Sequence, residues 1–160
     1  MIKAKKADFE RLYAIILECS SWLKSEGIAQ WNPPYPEKRF MEEIEKGKVF
    51  YFLEGKEIIG TATLLKRKPD YYAGDPFDNK EKAWYICRLA VPRKLKNRSM
   101  GIKILSEIEE KAVKSGLRAL RLDIPKSNPF LEMYYTKLGF RNVGNGVLRG
   151  TPSFFMEKRM

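Results

Sequence analysis

From about Ala7 the chain sets apolar residues at Phe9, Leu12, Ile16, Cys19 and Leu23, spacings of three and four. This is the period of an amphipathic helix, and it closes near Gly27. A short strand over Ile2 to Ala4 precedes it. Ile28 to Pro36 carries too much proline for regular structure. A second helix is expected from Pro36 and Glu37, with Phe40 and Ile44 inward and a stop at Gly47. Val49 to Leu53 and Ile58 to Leu65 are apolar runs joined by Glu54-Gly55-Lys56, a β-hairpin by length and turn chemistry. Lys66 to Lys82 reads as a long polar loop, and a loop of this size is usually functional or mobile.

Ala83 to Val91 is the third apolar run and is expected as a central strand. After the break at Pro92 to Arg98, Ile104, Leu105, Ile108, Ala112 and Val113 line one stripe of a long helix that ends at Ser115-Gly116. Leu117 to Ile124 alternates as a strand, with Arg121 and Asp123 polar between Leu120, Leu122 and Ile124. Asn128 to Leu138 forms a helix stopped by Gly139. Phe140 to Val143 and Ser153 to Glu157 are the last two strands, around a turn-rich Gly144 to Pro152. The order predicts an α/β (α+β) fold: one mixed sheet of about six to seven strands with helices on both faces. There is no internal repeat, linker or low-complexity tract, so residues 1–160 are expected to form a single domain.

Composition narrows the function classes. A chain of 160 residues, 44% hydrophobic and 12% aromatic, can bury a substantial core. No apolar run approaches the ~18–20 residues that span a bilayer, and the charged N-terminus leads into an amphipathic helix; no membrane association and a cytoplasmic protein are expected. Cys19 and Cys87 lie in apolar segments without CxxC spacing and read as free buried thiols. Histidine is absent, which excludes histidine triads, histidine-ligated zinc and an imidazole base; no metal is expected.

The net charge of +11 asks for an anionic partner, with nucleic acid, acidic membrane and a phosphorylated cofactor as candidates. Basic residues cluster once, at Arg88, Arg93, Lys94, Lys96, Arg98 and Lys103. Here a buried strand delivers the chain through a basic turn into a long helix. The first amides of such a helix have no internal partner and the dipole adds positive charge, a geometry suited to pyrophosphate.

The run Leu89-Ala90-Val91, then Lys96-Asn97-Arg98-Ser99-Met100-Gly101 and a helix ending in Glu-Glu-Lys-Ala, resembles the cofactor motif of the GNAT superfamily of N-acetyltransferases. That motif has Arg or Gln, two residues, Gly, one residue, then Gly or Ala. Lys96 takes the first place, Ser99 that of the first glycine, and Gly101 the second. An alternative register, Arg98, Gly101 and Lys103, shortens the helix. Asn128 to Phe140 is similar to the family's later motif, with Asn128, Tyr135, Lys137, Gly139 and Phe140 aligned without a gap. Trp22 to Trp31 and Tyr35-Pro36 are similar to a small single-domain bacterial and archaeal branch.

The resemblance implies acetyl transfer from acetyl-CoA to an amine of a small molecule or a peptide N-terminus, by direct attack in a ternary complex. It implies that backbone groups of Leu89 and Val91 hold the pantetheine arm and that amides of Leu89 and Ala90 polarise the acetyl carbonyl. Lys96, Asn97, Arg98, Ser99, Met100, Gly101 and Ile102 hold the pyrophosphate, Asn128 touches the pantetheine, and Tyr135 is the general acid toward the thiolate. Cys87 stands where many relatives of the branch have histidine, so the base is a carboxylate, a tyrosine or a water chain, with Glu81 one candidate.

Trp31, Tyr35 and Tyr72, with Tyr71, sit on irregular segments that wall the acceptor side. A noncatalytic acyl-CoA-binding or sensing domain is the rival reading. A nucleic-acid module lacks any aromatic and basic sheet motif. A monomer or homodimer is expected.

Overall fold

The computed structural model describes residues 1–160 except Ala29, Asp78, Asn79 and Asn97. Its strands are β1 (Ile2–Lys3), β2 (Val49–Glu54), β3 (Glu57–Leu65), β4 (Ala83–Ala90), β5 (Ala119–Pro125), β6 (Arg141–Leu148) and β7 (Thr151–Arg159). The helices are α1 (Phe9–Ser25), α2 (Glu37–Glu45), α3 (Met100–Lys114) and α4 (Pro129–Lys137). The seven strands follow the order β1-β2-β3-β4-β5-β7-β6. β4 and β5 run parallel, whereas β1–β2, β2–β3, β5–β7 and β6–β7 are antiparallel, so the sheet is mixed as expected.

The chain divides into two compact units, Met1–Leu64 with Arg88–Ile108, and Leu65–Cys87 with Glu109–Met160. In the first unit the predicted stripe of α1 is buried: Phe9, Leu12, Ile16 and Cys19 pack with Phe40 and Ile44 of α2, Val49 of β2 and Ala90 of β4. Burying each large apolar side chain contributes about 1.5–3 kcal/mol. Gly60 on β3 is required by close approach, because a Cβ there would stand 2.6 Å from the Ala90 carbonyl oxygen and 2.5 Å from Ile104 Cδ1. Cys19 and Cys87 are both free and buried.

In the second unit β5 is paired along its length with β7, Arg121 opposite Glu157 and Asp123 opposite Phe155. Its alternation places Leu120, Leu122 and Ile124 on one side and Arg121 and Asp123 on the other. The Arg121 guanidinium donates to Glu157 at 2.8 Å and to the Tyr85 hydroxyl at 2.9 Å. Tyr72 and Phe77, from the long loop, are buried against Tyr85, Leu148 and Phe155.

Two expectations need correction. The stretch from Gly144 is not an irregular turn: β6 runs on to Leu148, and the reversal is confined to Arg149 and Gly150. Gly146 lies under the Phe155 ring, where a Cβ would meet Cε2 at 3.1 Å, so its missing side chain serves packing and not a bend. Val113, placed on the inner stripe of α3 by periodicity, is 54% exposed; Ala112 already fills that turn at complete burial.

Candidate active site

Beyond β4 the chain makes a single 3-10 turn, Arg93–Leu95, and reaches α3 through Lys96 to Ser99. Leu95 is the buried pivot. The amides of Ile102 and Lys103 donate to the Ser99 carbonyl at 3.0 and 3.2 Å. Met100 and Gly101 precede them in the turn whose amides have no intrahelical acceptor, so the helix opens with donors directed outward. Ser99 is left-handed, φ 58°, in the place where the family motif has glycine. Asn97, expected among the pyrophosphate ligands, lies outside the described residues.

The turn is anchored by α1, which periodicity alone does not reveal. The Arg93 amide donates to Glu18 Oε1 at 3.0 Å. The Arg93 guanidinium lies 3.6 Å from the centre of the Trp22 ring, and Lys96 Nζ lies 5.6 Å from it. A cation over indole is held by the ring's quadrupole. Lys96 and Arg98 are exposed, as an anion-binding cation must be. The Val91 carbonyl accepts the Cys19 thiol at 3.3 Å. Ala90 is buried, and Leu89 and Val91 are half-buried.

One residue before Leu89, Arg88 is also left-handed, φ 50°. Strain of this kind persists only where neighbours over-determine it. Here Arg88 Nη2 donates to both oxygens of Glu43, at 2.6 and 2.7 Å, and its guanidinium lies 4.2 Å from the Tyr35 ring centre. Tyr35 donates to Glu43 Oε1 at 3.0 Å, and burial pushes its phenol upward in pKa. Tyr35, expected as an acceptor contact, is thus part of a clamp on the strand. Trp31, left-handed at φ 56°, gives its carbonyl to Ser20 and packs its ring on the first unit's core. The Glu43–Arg88 pair was not visible in sequence, since 45 positions separate the partners.

The second unit carries the remaining expected residues. Asn128 is buried at the N-cap of α4, where its carbonyl accepts the Leu131 amide at 3.1 Å. Tyr135 is buried, edge-on to Phe140 at 5.4 Å between ring centres. The Phe140 amide donates back to the Tyr135 carbonyl at 3.1 Å, and Gly139 between them has φ 87°. That pattern explains the Tyr-x-Lys-x-Gly-Phe spacing as a helix end that fixes the tyrosine. Burial, then Tyr134 and Asp123, push the Tyr135 phenol well above its ordinary pKa.

Tyr72 is buried and does not offer its ring to solvent. Its hydroxyl donates to Asp123 Oδ1 at 2.7 Å, and that of Tyr71 donates to the same oxygen at 3.1 Å. Tyr71 also lies 3.8 Å from the Cys87 sulphur. Glu81, the carboxylate singled out near the start of β4, is exposed. Among the described residues there is no group of side chains that could hold a metal ion, and no helix is long and apolar enough to cross a membrane.

The head of α3, with outward amides beside exposed cations, is suited to an anionic group. The chain is 26% identical over 143 residues to the uncharacterized N-acetyltransferase YesJ of Bacillus subtilis, an alignment covering 86% of this chain and 78% of the relative. A GNAT family acetyltransferase from Listeria monocytogenes superposes with a TM-score of 0.81 at 23% identity, covering 99% of this chain and 92% of that one. The PaiA N-acetyltransferase of Thermoplasma acidophilum, solved in complex with coenzyme A, gives 0.68 at 20% identity, covering 99% and 96%. The model of the acetyltransferase (GNAT) family matches residues 9–140, and the chain belongs to that family of acetyl-CoA-dependent acetyltransferases.

Proposed function

We propose that the protein transfers the acetyl group directly to an amine of a small molecule or of a peptide N-terminus, within a ternary complex. Bound acetyl-CoA supplies the acetyl group as a thioester. The amides of Ser99, Met100 and Gly101 and the cations Lys96 and Arg98 hold its pyrophosphate. Backbone groups of Leu89 and Val91 pair with the pantetheine arm as an added strand, and Asn128 contacts the same arm. Amides of Leu89 and Ala90 stabilise negative charge on the acetyl oxygen during attack. A reducing cytoplasm suits the two free cysteines.

The observation that carries this reading is the Tyr135 side chain, buried edge-on to Phe140 at a helix end fixed by the hydrogen bond from the Phe140 amide to the Tyr135 carbonyl. Full transfer of its proton to a thiolate is uphill by roughly 2 kcal/mol even at the reference pKa values of ~10 and ~8.5. Tyr135 therefore donates a hydrogen bond as charge develops on sulphur and completes the transfer only late.

The test has two stages. Isothermal titration with acetyl-CoA is expected to show stoichiometric binding, and a thiol-release screen over amines is expected to find turnover. Tyr135→Phe should lower kcat by about tenfold or more, the loss of one hydrogen bond to a charged group, with acetyl-CoA affinity retained. An undiminished kcat with a good acceptor removes Tyr135 from the mechanism. Binding without turnover on a broad panel favours a sensing domain.

A further inference from the structure

Residue 88 stands immediately before the amides assigned to the acetyl carbonyl, and two features that each cost free energy meet there. An L-residue at φ 50° inside β4 gives up the extended conformation of a strand. A largely buried ion pair, here Arg88 with Glu43, is a poor source of stability, because desolvating both charges offsets their attraction. We propose that Glu43 and Arg88 are positioning residues for catalysis: the pair holds residue 88 left-handed, and that backbone turn presents the Leu89 and Ala90 amides to the acetyl oxygen. This rests on the amine-acetylating reading above and deepens it.

The turn acts directly on the amides. Residues in the β region direct successive N–H groups to opposite edges of a strand. A left-handed residue breaks that alternation, as in a bulge, and re-aims the groups that follow it. Next along the chain, the Ala90 carbonyl oxygen comes so close to β3 that a Cβ on Gly60 would stand 2.6 Å from it. β3 admits this approach only because residue 60 has no side chain. Cys19 on α1 donates to the Val91 carbonyl at 3.3 Å and ties down the far end of the segment.

The side chains that hold the turn come from three pieces of the same unit. α2 supplies Glu43, both of whose oxygens accept from Arg88 Nη2, at 2.6 and 2.7 Å. β3 supplies the buried Thr63, which accepts from Arg88 Nε at 3.3 Å and donates to Glu43 Oε2 at 3.3 Å. The segment before α2 supplies Tyr35, whose hydroxyl donates to Glu43 Oε1 at 3.0 Å and whose ring centre lies 4.2 Å from the guanidinium. A glycine would take φ 50° without strain, yet it would be equally free to leave it. An arginine tied at its far end keeps the conformation between turnovers, so the amides need no reorganisation as charge develops.

The test compares two double variants, Glu43→Gln/Arg88→Ala and Glu43→Gln/Arg88→Gly. Both remove the ion pair without leaving one charge buried alone, and they differ in the backbone conformation that residue 88 prefers. Each is assayed well below its thermal midpoint, by turnover of the best acceptor amine and by infrared difference spectra of bound acetyl-CoA isotope-labelled at the thioester carbonyl. The carbonyl stretch reads polarisation by the amides whether or not an acceptor is present. In wild type the stretch is expected to move to lower frequency on binding. The alanine variant should lose that displacement and about 100-fold in kcat, the value of a misplaced oxyanion donor. Its KM for acetyl-CoA should change by less than about threefold, since the pyrophosphate contacts remain. The glycine variant should regain at least about tenfold of the lost kcat and part of the displacement, because it re-enters the left-handed region freely. Arg88→Lys keeps the charge pair but loses the Thr63 contact and the stack on Tyr35, so it carries little risk to folding. It should lower kcat about tenfold, the value of one hydrogen bond to a charged group, with a smaller infrared displacement.

Equal kcat and equal spectra in the alanine and glycine variants overturn the proposal, because Arg88 then acts by its charge or only by stabilising the fold. Wild-type kcat and spectra in Arg88→Lys overturn it too, as does a wild-type stretch that binding leaves unmoved. A wild type that shows the displacement but acetylates no amine overturns the parent reading, while the contrast between alanine and glycine in the spectra still decides the positioning. Failure to bind acetyl-CoA at all overturns both.

Discussion

Ser99 occupies a backbone conformation, φ 58°, that a glycine adopts without penalty. For an L-residue this region costs about 1–2 kcal/mol. Ser99→Gly is therefore expected to stabilise the protein by about 1 kcal/mol, a rise in Tm of about 2–4 °C for a chain of this size. It should also tighten acetyl-CoA, because backbone without a Cβ approaches phosphate more closely. Calorimetry decides the second point: a Kd that is unchanged or weaker means that the serine side chain contributes contacts of its own. The departure from glycine was legible in sequence, but the sign of φ was not, because the alternative register would have put Arg98 and Gly101 at the marked positions.

At the scale of elements, the strand that leads to the turn is held by a contact between distant pieces of chain. Glu43 on α2 receives the Arg88 guanidinium, and the side chains of the pair are only 16% and 9% exposed. Removing one charge of a largely buried pair costs about 3 kcal/mol, at the lower end of the measured range. Glu43→Gln should accordingly lower Tm by about 6–12 °C in a thermal melt. A melt within about 2 °C of wild type would show that Tyr35 and Thr63 suffice to hold Arg88. The elements themselves were readable wherever one period dominated, as in α1, α3 and β5. β6 and β7 were cut short because Gly144, Gly146, Gly150 and Pro152 look like turn residues in sequence. At Gly146 the cause is the Phe155 ring, which fills the space above it and is brought there by strand pairing, whereas Gly150 does turn the chain, at φ 82°. The same limit hid Glu43 and Asp123: hydrogen-bond partners 45 and 51 positions away in the chain leave no local pattern.

For the molecule as a whole, the absence of histidine and the presence of buried acids with raised pKa values predict an asymmetric pH profile. Burial pushes the Cys19 thiol up to about 11, and it also raises Tyr35, Tyr72, Tyr134 and Tyr135. Each of these groups holds its proton more tightly folded than unfolded. Their contribution is complete below the unfolded pKa values and is lost as pH rises through the folded ones. Denaturant midpoints should therefore show no imidazole step between about pH 6 and 8 and should fall steadily above about pH 9. A profile with its main loss on the acid side of neutrality would contradict this. The stack of Arg93 and Lys96 on Trp22 has an optical consequence. An ammonium held 5.6 Å from an indole centre influences that ring's excited state, and a pyrophosphate seated on the turn draws the ammonium toward itself. Of the three tryptophans, Trp22 then becomes a built-in dye for cofactor occupancy. Titration with coenzyme A should change the emission of wild type and leave that of Trp22→Phe nearly constant.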